Sequence, residues 1–296
     1  MPRLGRDVAA IHRLQLPFSV NCLCYATWGA TTAAGEPARL AHPAVPTAIT
    51  ANLLLIVGAL ALNTAADTGT DERHPERAVL TAAARRFGTR RVVRWSAGEL
   101  GVAVVLAGSV AAGTGRPLVL AAAIAAGTLQ VLYNVEPVRL KRRGLPGVVA
   151  FCAAVLVLPF LLAYWSVRPA VDPAAWPVVA GVGLVAIGRM TLWSVPDRTA
   201  DAATGLRTPA VRHGPRGAAA VCLAAILTGL TLTAWGLWRQ HGPGWAVPLV
   251  TMQAWPLLSA AALLFRGSPV TSTRLRGRAF PPTTIAMIAM TLAPLT

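Results

Sequence analysis

Long apolar stretches recur along this 296-residue chain and constrain its fold more than any other feature. A helix needs about 20 mostly apolar residues to cross the hydrocarbon core of a bilayer. Hydrophobic residues make up 55% of the chain and charged residues only 13%, which is about half the charged share of an average soluble domain. The sequence therefore predicts an all-α, polytopic membrane helix bundle of about nine helices, over residues 14–33, 46–63, 95–113, 117–134, 147–166, 175–194, 217–238, 245–265 and 280–295.

The basic residues alternate with these helices. Of the 27 Lys and Arg residues, 22 fall in the N-terminal tail and in every second connection, four fall in the other connections, and Arg189 lies inside a helix. Positively charged loops stay on the cytoplasmic side of a membrane, so we expect a cytoplasmic N-terminus. The net charge of +16 is explained by this topology, and we expect no nucleic-acid partner. The Ala- and Arg-rich composition indicates a bacterial cell membrane.

Six of the eleven acidic residues fall in two of the predicted cytoplasmic connections. Asp67 and Asp71 follow the second helix, and Asp197 and Asp201 follow the sixth. An offset of 130 residues superimposes both pairs, and it also places Arg77 on Arg207. This register predicts that residues 1–296 form a single domain with an internal repeat of four helices.

The spacing within each pair favours a metal site. Carboxylates at positions i and i+4 share one face of a helix and repel each other, and a divalent cation removes that repulsion. Mg²⁺ takes one or two carboxylates together with phosphate oxygens of a substrate. Two facing pairs could thus hold Mg²⁺ around one diphosphate. The alternative interpretation is that each pair is a solvated helix cap with Arg neighbours.

A third segment, at the cytoplasmic end of the fourth helix, runs from Tyr133-Asn134 through Arg139 and Lys141 to Gly144. Arg and Lys bind phosphate oxygens through charge-assisted hydrogen bonds. On charge alone the segment is also typical of an ordinary cytoplasmic loop. It indicates a diphosphate site because Tyr133 and Asn134 lie where the helix reaches the same cytoplasmic end of the bundle as the two Asp pairs.

These segments resemble the UbiA superfamily of intramembrane prenyltransferases, which has nine helices. Asn63-x3-Asp67-x3-Asp71 is similar to the family's first Asp motif, and Asp197-x3-Asp201 with residues 205–214 is similar to its second. Tyr133 through Lys141 resembles the Tyr-Ser-type segment after the fourth helix, and residues 13–17 resemble the opening of the first. The motifs cover about a fifth of the chain, and the topology covers all of it.

The resemblance implies an intramembrane enzyme that binds a polyprenyl diphosphate through the cofactor Mg²⁺ and ionises it. The prenyl group then passes to an aromatic, quinone-type or lipid acceptor within the lipid bilayer. The residues and the resemblance together give three groups of candidates. These are the catalytic carboxylates and metal ligands Asp67, Asp71, Asp197 and Asp201 with Asn63; the diphosphate contacts Arg77, Tyr133, Asn134, Arg139, Lys141 and Arg207; and the acceptor or prenyl pocket residues Arg13, Asn21 and Trp193. A Trp near a helix end is also common at membrane interfaces.

Two departures from the family pattern keep alternatives open. Thr64 stands where the first motif usually has its first Asp, and His74-Pro75-Glu76-Arg77 replaces an R-P-L/I-x-S-G-like stretch. Some superfamily members are terpene cyclases, which fold a prenyl chain such as farnesyl or geranylgeranyl diphosphate onto itself without an acceptor. The second alternative is a non-catalytic membrane protein that binds lipid.

Overall fold

The computed structural model describes residues 3–15, 18–73, 77–275, 277 and 280–295, and within them no β-strand is present. A π-helical turn, Ala153–Val157, joins the helices Leu145–Cys152 and Leu158–Val167 into one span. The helices are α1 Arg3–Ile11, α2 Phe18–Ala34, α3 Ala44–Ala66, α4 Thr68–Asp71, α5 Ala78–Phe87, α6 Thr89–Thr114, α7 Pro117–Asn134, α8 Leu145–Cys152, α9 Leu158–Val167, α10 Ala175–Ala203, α11 Pro209–His241, α12 Pro243–Gln253, α13 Trp255–Arg266, α14 Ser272–Arg274 and α15 Phe280–Leu292.

The apolar composition places most of these helices in a membrane. Within the described residues, six segments are long and apolar enough to cross one: α3, α6, α7, α8 with α9, α10 and α11. The pair α12 and α13, which bends by 43°, makes a seventh if it forms one span. The predicted all-α membrane fold is confirmed, and each predicted stretch coincides with a helix or a pair of helices. The count of nine spans and the side of the N-terminus stay predictions, since α2 has only 17 residues and the last apolar helix is also short.

Small residues set how closely the helices pack. A Cβ atom added to Gly181 of α10 would lie 2.5 Å from the Gly229 carbonyl oxygen of α11. In lipid, contacts of this kind drive helix association because no hydrophobic force acts between helices. α10 and α11 therefore form a tight pair, while α3 packs on α6 and α7, and α2 packs on α9 and α15.

The segments after α3, α7 and α10 meet at one end of the bundle. Arg73 donates to the carbonyl oxygen of Ala203 at 3.0 Å, and Arg212 donates to the carbonyl oxygen of Arg143 at 3.3 Å. Arg116 lies at the opposite end, where it donates to the carbonyl oxygen of Ser166 at 2.6 Å. The segments that carry the three sequence motifs therefore lie together at one end of the bundle, which we call the mouth.

One local expectation differs from the structure. The sixth helix was expected to end near residue 194, with the second Asp pair in a connection, but α10 runs through Asp197 and Asp201 to Ala203. Pro196 lies inside the helix without ending it. The apolar stretch ends before the helix does, because polar residues continue the helix beyond the hydrocarbon core.

The shared mouth leads to a labelling prediction. Single cysteines at Glu72, Arg142 and Ala203, which are exposed at the mouth, should react with an impermeant thiol reagent from one side of the membrane only, and from the cytoplasmic side. Cysteines at Glu36 and Ala170, near the opposite end, should react from the other side. The parent chain is a suitable background because its four cysteines are buried and unpaired. Opposite reactivity of positions 72 and 203 would contradict the shared mouth.

Candidate functional site

The first Asp pair lies where α3 ends. Asp67 caps α3, and the backbone N–H of Asp71 donates to the Asp67 carbonyl oxygen at 2.8 Å. This bond closes one helical turn, so the two carboxylates lie on the same face. Both residues are only 1% exposed. Such burial requires compensation by charges or hydrogen bonds.

The second pair lies one turn apart on α10, near its end. The Asp201 side chain is buried and that of Asp197 is partly exposed. The backbone N–H groups of Thr204 and Leu206 both donate to the Asp201 carbonyl oxygen, at 3.1 and 2.9 Å, and so terminate the helix. The end of α10 is therefore fixed by its own backbone hydrogen bonds.

Arg77, the residue before α5, joins the two pairs. Its Nη1 donates to Asp71 Oδ1, and its Nη2 donates to Asp197 Oδ2 at 2.7 Å. A planar guanidinium can bind two carboxylates in this way, whereas an ammonium group acts as a single point charge. The role of Arg77 as a diphosphate contact stays a prediction, and in the structure Arg77 links the two motifs.

The third segment adds two cations to the first pair. The Lys141 ammonium forms an ion pair with Asp67 Oδ2, and Arg139 Nη2 lies 3.6 Å from Asp67 Oδ1. Burial alone would raise the pKa of Asp67, but the charges of Lys141, Arg13 and Arg139 outweigh it, so the pKa lies below its ordinary value. Asp67 is therefore ionised at neutral pH.

Basic side chains compensate the acids at the mouth. Three of the four predicted carboxylates, those of Asp67, Asp71 and Asp197, form ion pairs with the side chains of Arg13, Arg77, Arg139 and Lys141. Arg13 contributes through a longer contact, in which its Nη2 lies 3.4 Å from Asp71 Oδ2. These ion pairs let the carboxylates stay buried in the protein alone.

Asn63 and Asn134, both predicted site residues, connect α3 to α7. Asn63 Nδ2 donates to Asn134 Oδ1 at 2.9 Å, and Asn134 Nδ2 donates to the Gln130 carbonyl oxygen at 2.9 Å. The Tyr133 ring packs against Phe151 with centroids 5.2 Å apart. The third segment therefore adjoins the first Asp pair through amide side chains as well as through its cations.

The remaining candidates lie apart from this cluster. Arg207 is exposed, and its side chain makes no hydrogen bond or ion pair among the described residues. Asn21 Nδ2 donates to Thr284 Oγ1 at 3.0 Å, between α2 and α15. Trp193 is partly buried and packs against an apolar cluster of α10, α11 and α13. Residues 74–76 of the unusual stretch after the first motif lie outside the described residues.

Thr64 has a role that the sequence did not reveal. It is 1% exposed, and its Oγ1 donates to the carbonyl oxygen of Ile11 at 2.9 Å. The carbonyls of the last helical turn need partners from outside the helix, and Thr64 supplies one to α1. The residues that meet here are 53 positions apart, so no local motif could predict the contact.

The donor set suits a hard divalent cation. Carboxylate and amide oxygens are the ligands that Mg²⁺ prefers, and the buried Asp67 Oδ1 has no hydrogen-bond partner. Within the described part of the chain, no three His, Cys, Asp or Glu side chains are grouped closely enough to hold a metal. Basic side chains instead lie between the carboxylates, so a metal can bind only where Arg77 and Lys141 give up their partners.

Comparisons with known proteins bear on the family and the fold of this chain. The model of the UbiA prenyltransferase family matches residues 22–281. A structure of a UbiA homologue from Archaeoglobus fulgidus bound to GPP and Mg²⁺ is similar, with a TM-score of 0.71, 15% identity and coverage of 98% of this chain and 99% of that one. The same homologue with DMAPP and Mg²⁺ gives a TM-score of 0.69 at 14% identity, again over 98% and 99% of the two chains. A digeranylgeranylglyceryl phosphate synthase gives 0.66 at 13% identity over 99% of both chains. A search of curated proteins finds no significant match.

The bridge made by Arg77 leads to a stability prediction. In Arg77→Ala, Asp71 and Asp197 lose a shared cation, so the variant should unfold more easily in detergent without Mg²⁺. Removing one partner of a buried ion pair typically costs roughly 3–5 kcal/mol, and we expect the lower part of this range because Arg77 is 18% exposed. Thermal unfolding followed by circular dichroism measures the change.

The matched control is Arg85→Ala, which removes a more exposed pair with Glu72. Exposed pairs contribute about 0–1 kcal/mol. Added Mg²⁺ should raise the unfolding temperature of Arg77→Ala more than that of the parent chain, because it can occupy the freed carboxylates. Equal unfolding temperatures of the Arg77 and Arg85 variants would show that the bridge is not stabilising.

Proposed function

This chain belongs to the UbiA prenyltransferase family, and we propose that it is an intramembrane, Mg²⁺-dependent prenyltransferase. It ionises a polyprenyl diphosphate and transfers the prenyl group to an aromatic, quinone-type or lipid acceptor. The observation that carries the proposal is the link made by Arg77 between Asp71 and Asp197 at one end of an apolar bundle. The Archaeoglobus fulgidus homologue, whose structures carry DMAPP or GPP with Mg²⁺, supports this choice of ligands.

The carboxylates of Asp67, Asp71, Asp197 and Asp201, with the amide of Asn63, would hold Mg²⁺. When bound, Mg²⁺ neutralises the negative charge that builds up on the departing diphosphate. Arg77, Arg139 and Lys141 then donate to diphosphate oxygens instead of carboxylates, in charge-assisted hydrogen bonds. The basic side chains thus change partners, and the metal and the diphosphate bind cooperatively.

The apolar helix bundle next to the mouth would surround the reacting prenyl group. An allylic cation reacts with water, and a closed apolar site keeps water away from it. Tyr133 and Phe151 lie beside the mouth, where an aromatic face stabilises positive charge. Trp28 and Phe160, with ring centroids 4.6 Å apart, lie deeper. Trp28 is ten residues along α2 from Phe18, which is about 15 Å, and the Trp28 and Phe160 rings are buried in the apolar core.

The mouth faces the cytoplasm in this proposal, because the connections that form it carry most of the Lys and Arg residues. A bacterial cell membrane, with water-soluble diphosphate released on the cytoplasmic side, is the setting we propose.

The second candidate function is that of a terpene cyclase. The aromatic pair of Tyr133 and Phe151 beside the mouth favours it, because a cyclase must shield a cation until a proton leaves or water adds. Thr64 replaces a motif Asp, but its hydroxyl donates to the Ile11 carbonyl oxygen. The absence of that Asp as a metal ligand therefore does not by itself decide between transferase and cyclase. The dependence of turnover on an acceptor separates the two enzymes.

The carboxylate assignment predicts a loss of activity. Asp67→Ala and Asp201→Ala should each lower diphosphate release by about 10²–10³-fold, the usual effect of removing an electrostatic contact to the transition state. Release of diphosphate from farnesyl and geranylgeranyl diphosphate in detergent, with excess Mg²⁺, is the measurement. Asp172→Ala is the control, since the Asp172 side chain accepts from the backbone N–H of Ala174 at the far end of the bundle. Near-normal turnover of both mouth variants would reject the assignment.

The acceptor distinguishes transferase from cyclase. For a transferase, diphosphate release should rise at least several-fold when membrane lipid extract or an aromatic or quinone-type acceptor is added, because the cation then has a nucleophile. Mass analysis of the products should show a prenylated acceptor. A cyclic hydrocarbon or alcohol, formed at the same rate with and without extract, would establish the cyclase instead.

A further inference from the structure

The connection between α1 and α2 contributes to the mouth through three consecutive residues. The Ile11 carbonyl accepts from Thr64, His12 contacts Glu99 of α6, and Arg13 contacts Asp71. α1 is also tied to α5, because Arg86 Nε donates to Asp7 Oδ2 at 2.8 Å. The N-terminal helix is therefore fixed to α3, α5 and α6, and its end lies against the first Asp pair.

The backbone directs the Arg13 side chain. Arg13 has φ of 53°, in the left-handed region that glycine usually occupies after a helix. Its N–H donates to the Ala10 carbonyl oxygen at 3.0 Å, and the N–H of Leu14 donates to that of Ala9 at 2.8 Å, which is the Schellman pattern. Arg13 Nε is buried without a hydrogen-bond partner, so the guanidinium keeps donors for a ligand.

His12 occupies a socket formed by three other residues. Its Nδ1 lies 2.9 Å from the Val8 carbonyl oxygen, and its Nε2 lies 3.0 Å from Glu99 Oε1. The Trp95 ring packs edge-on against the imidazole with centroids 5.2 Å apart. A carbonyl oxygen can only accept, so Nδ1 carries a proton, and a second proton lies between Nε2 and Glu99.

The charges and the space at the socket fit an ion pair. Burial alone would lower the pKa of His12, but the bonds to Glu99 and Val8 outweigh it and the pKa is raised. A Cβ atom added to Gly58 of α3 would lie 3.1 Å from Glu99 Cβ, so glycine leaves room for the Glu99 side chain. Glu99 Oε2 is buried without a partner. A carboxylate at this depth in a membrane helix is costly, and His12 compensates it.

We propose that His12 and Glu99 are a positioning pair that fixes Arg13 at the mouth, so that Arg13 donates to a diphosphate oxygen once Asp71 turns to the metal; this rests on the function proposed above. Thr64 supports the same segment through Ile11. Neither His12 nor Glu99 touches the substrate. Their contribution passes through the direction of the Arg13 side chain and belongs to diphosphate binding.

The experiment measures binding and turnover in the full-length chain. Inorganic diphosphate is titrated calorimetrically into detergent-solubilised protein with Mg²⁺, and the KM for geranylgeranyl diphosphate is measured separately from kcat. Arg13→Ala should weaken binding by about 10- to 100-fold, as expected for a hydrogen bond between charged groups. Glu99→Ala and His12→Ala should each raise the dissociation constant and KM at least about fivefold, with kcat changed less.

A double variant tests whether the pair acts through Arg13. Combined with Arg13→Ala, the Glu99→Ala change should have no further effect on diphosphate binding, because groups that act through one another are not additive. An additive effect would show a general structural role and overturn the proposal. Thr64→Val, which replaces the hydroxyl with a methyl group of similar size, gives the same test with little change of shape, and its effect on diphosphate binding should also vanish in the Arg13→Ala background.

Two matched controls complete the design. Arg6→Ala removes an exposed arginine from α1, and Glu36→Ala removes an exposed ion pair at the far end of the bundle. Both should bind diphosphate like the parent chain. If the parent chain itself fails to bind diphosphate with Mg²⁺, the proposed function is wrong. If it binds and the Glu99→Ala, His12→Ala and Thr64→Val variants bind equally well, only the positioning pair is wrong.

Discussion

The placement of four carboxylates beside an apolar helix bundle is the constraint on which the rest of the site depends. A buried carboxylate without compensation is strongly unfavourable, and two of these residues are only 1% exposed. Arg77 compensates the charge of one carboxylate in each Asp pair. Lys141 and Arg139, from a third segment, compensate the charge of Asp67. The mouth is therefore assembled by charge compensation between segments that are far apart in the sequence.

The two Asp pairs lie near helix ends but on different backbones. Apolar residues bring α3, α7 and α10 through the bilayer, and the motif residues lie in the last turns of these helices or just beyond them. α10 carries its Asp pair on regular helix, whereas α3 breaks at Asp67 and restarts as the short helix α4. Two different backbones thus present carboxylates at the same i, i+4 spacing. The match at an offset of 130 residues describes the spacing of the side chains and does not extend to the local backbone around them.

The sequence predicted those features that depend on local pattern. Apolar length located the helices, and carboxylate spacing identified Asp67, Asp71, Asp197 and Asp201 as a group. Arg13, Asn21 and Trp193 were predicted as residues of the acceptor or prenyl pocket, and the structure places them in three environments: beside Asp71, against Thr284, and in the α10–α11–α13 cluster. Contacts between distant residues depend on helix rotation and packing, which apolar periodicity does not define. The replacement of an Asp by Thr64 was visible in the sequence, but its contact with Ile11 was not.

The same basic residues are suited to two states of the site. Without ligands they neutralise the carboxylates, so the buried acids do not destabilise the fold. With Mg²⁺ on the carboxylates, the cations would lose their partners, and an anion with several oxygens restores the balance. Either ligand alone would shift this compensation: Mg²⁺ alone adds positive charge beside the basic side chains, and a diphosphate alone adds negative charge beside the carboxylates. Electrostatic balance in a medium of low dielectric constant thus favours binding both ligands together, and this would restrict cation formation to a site that holds metal and substrate at once.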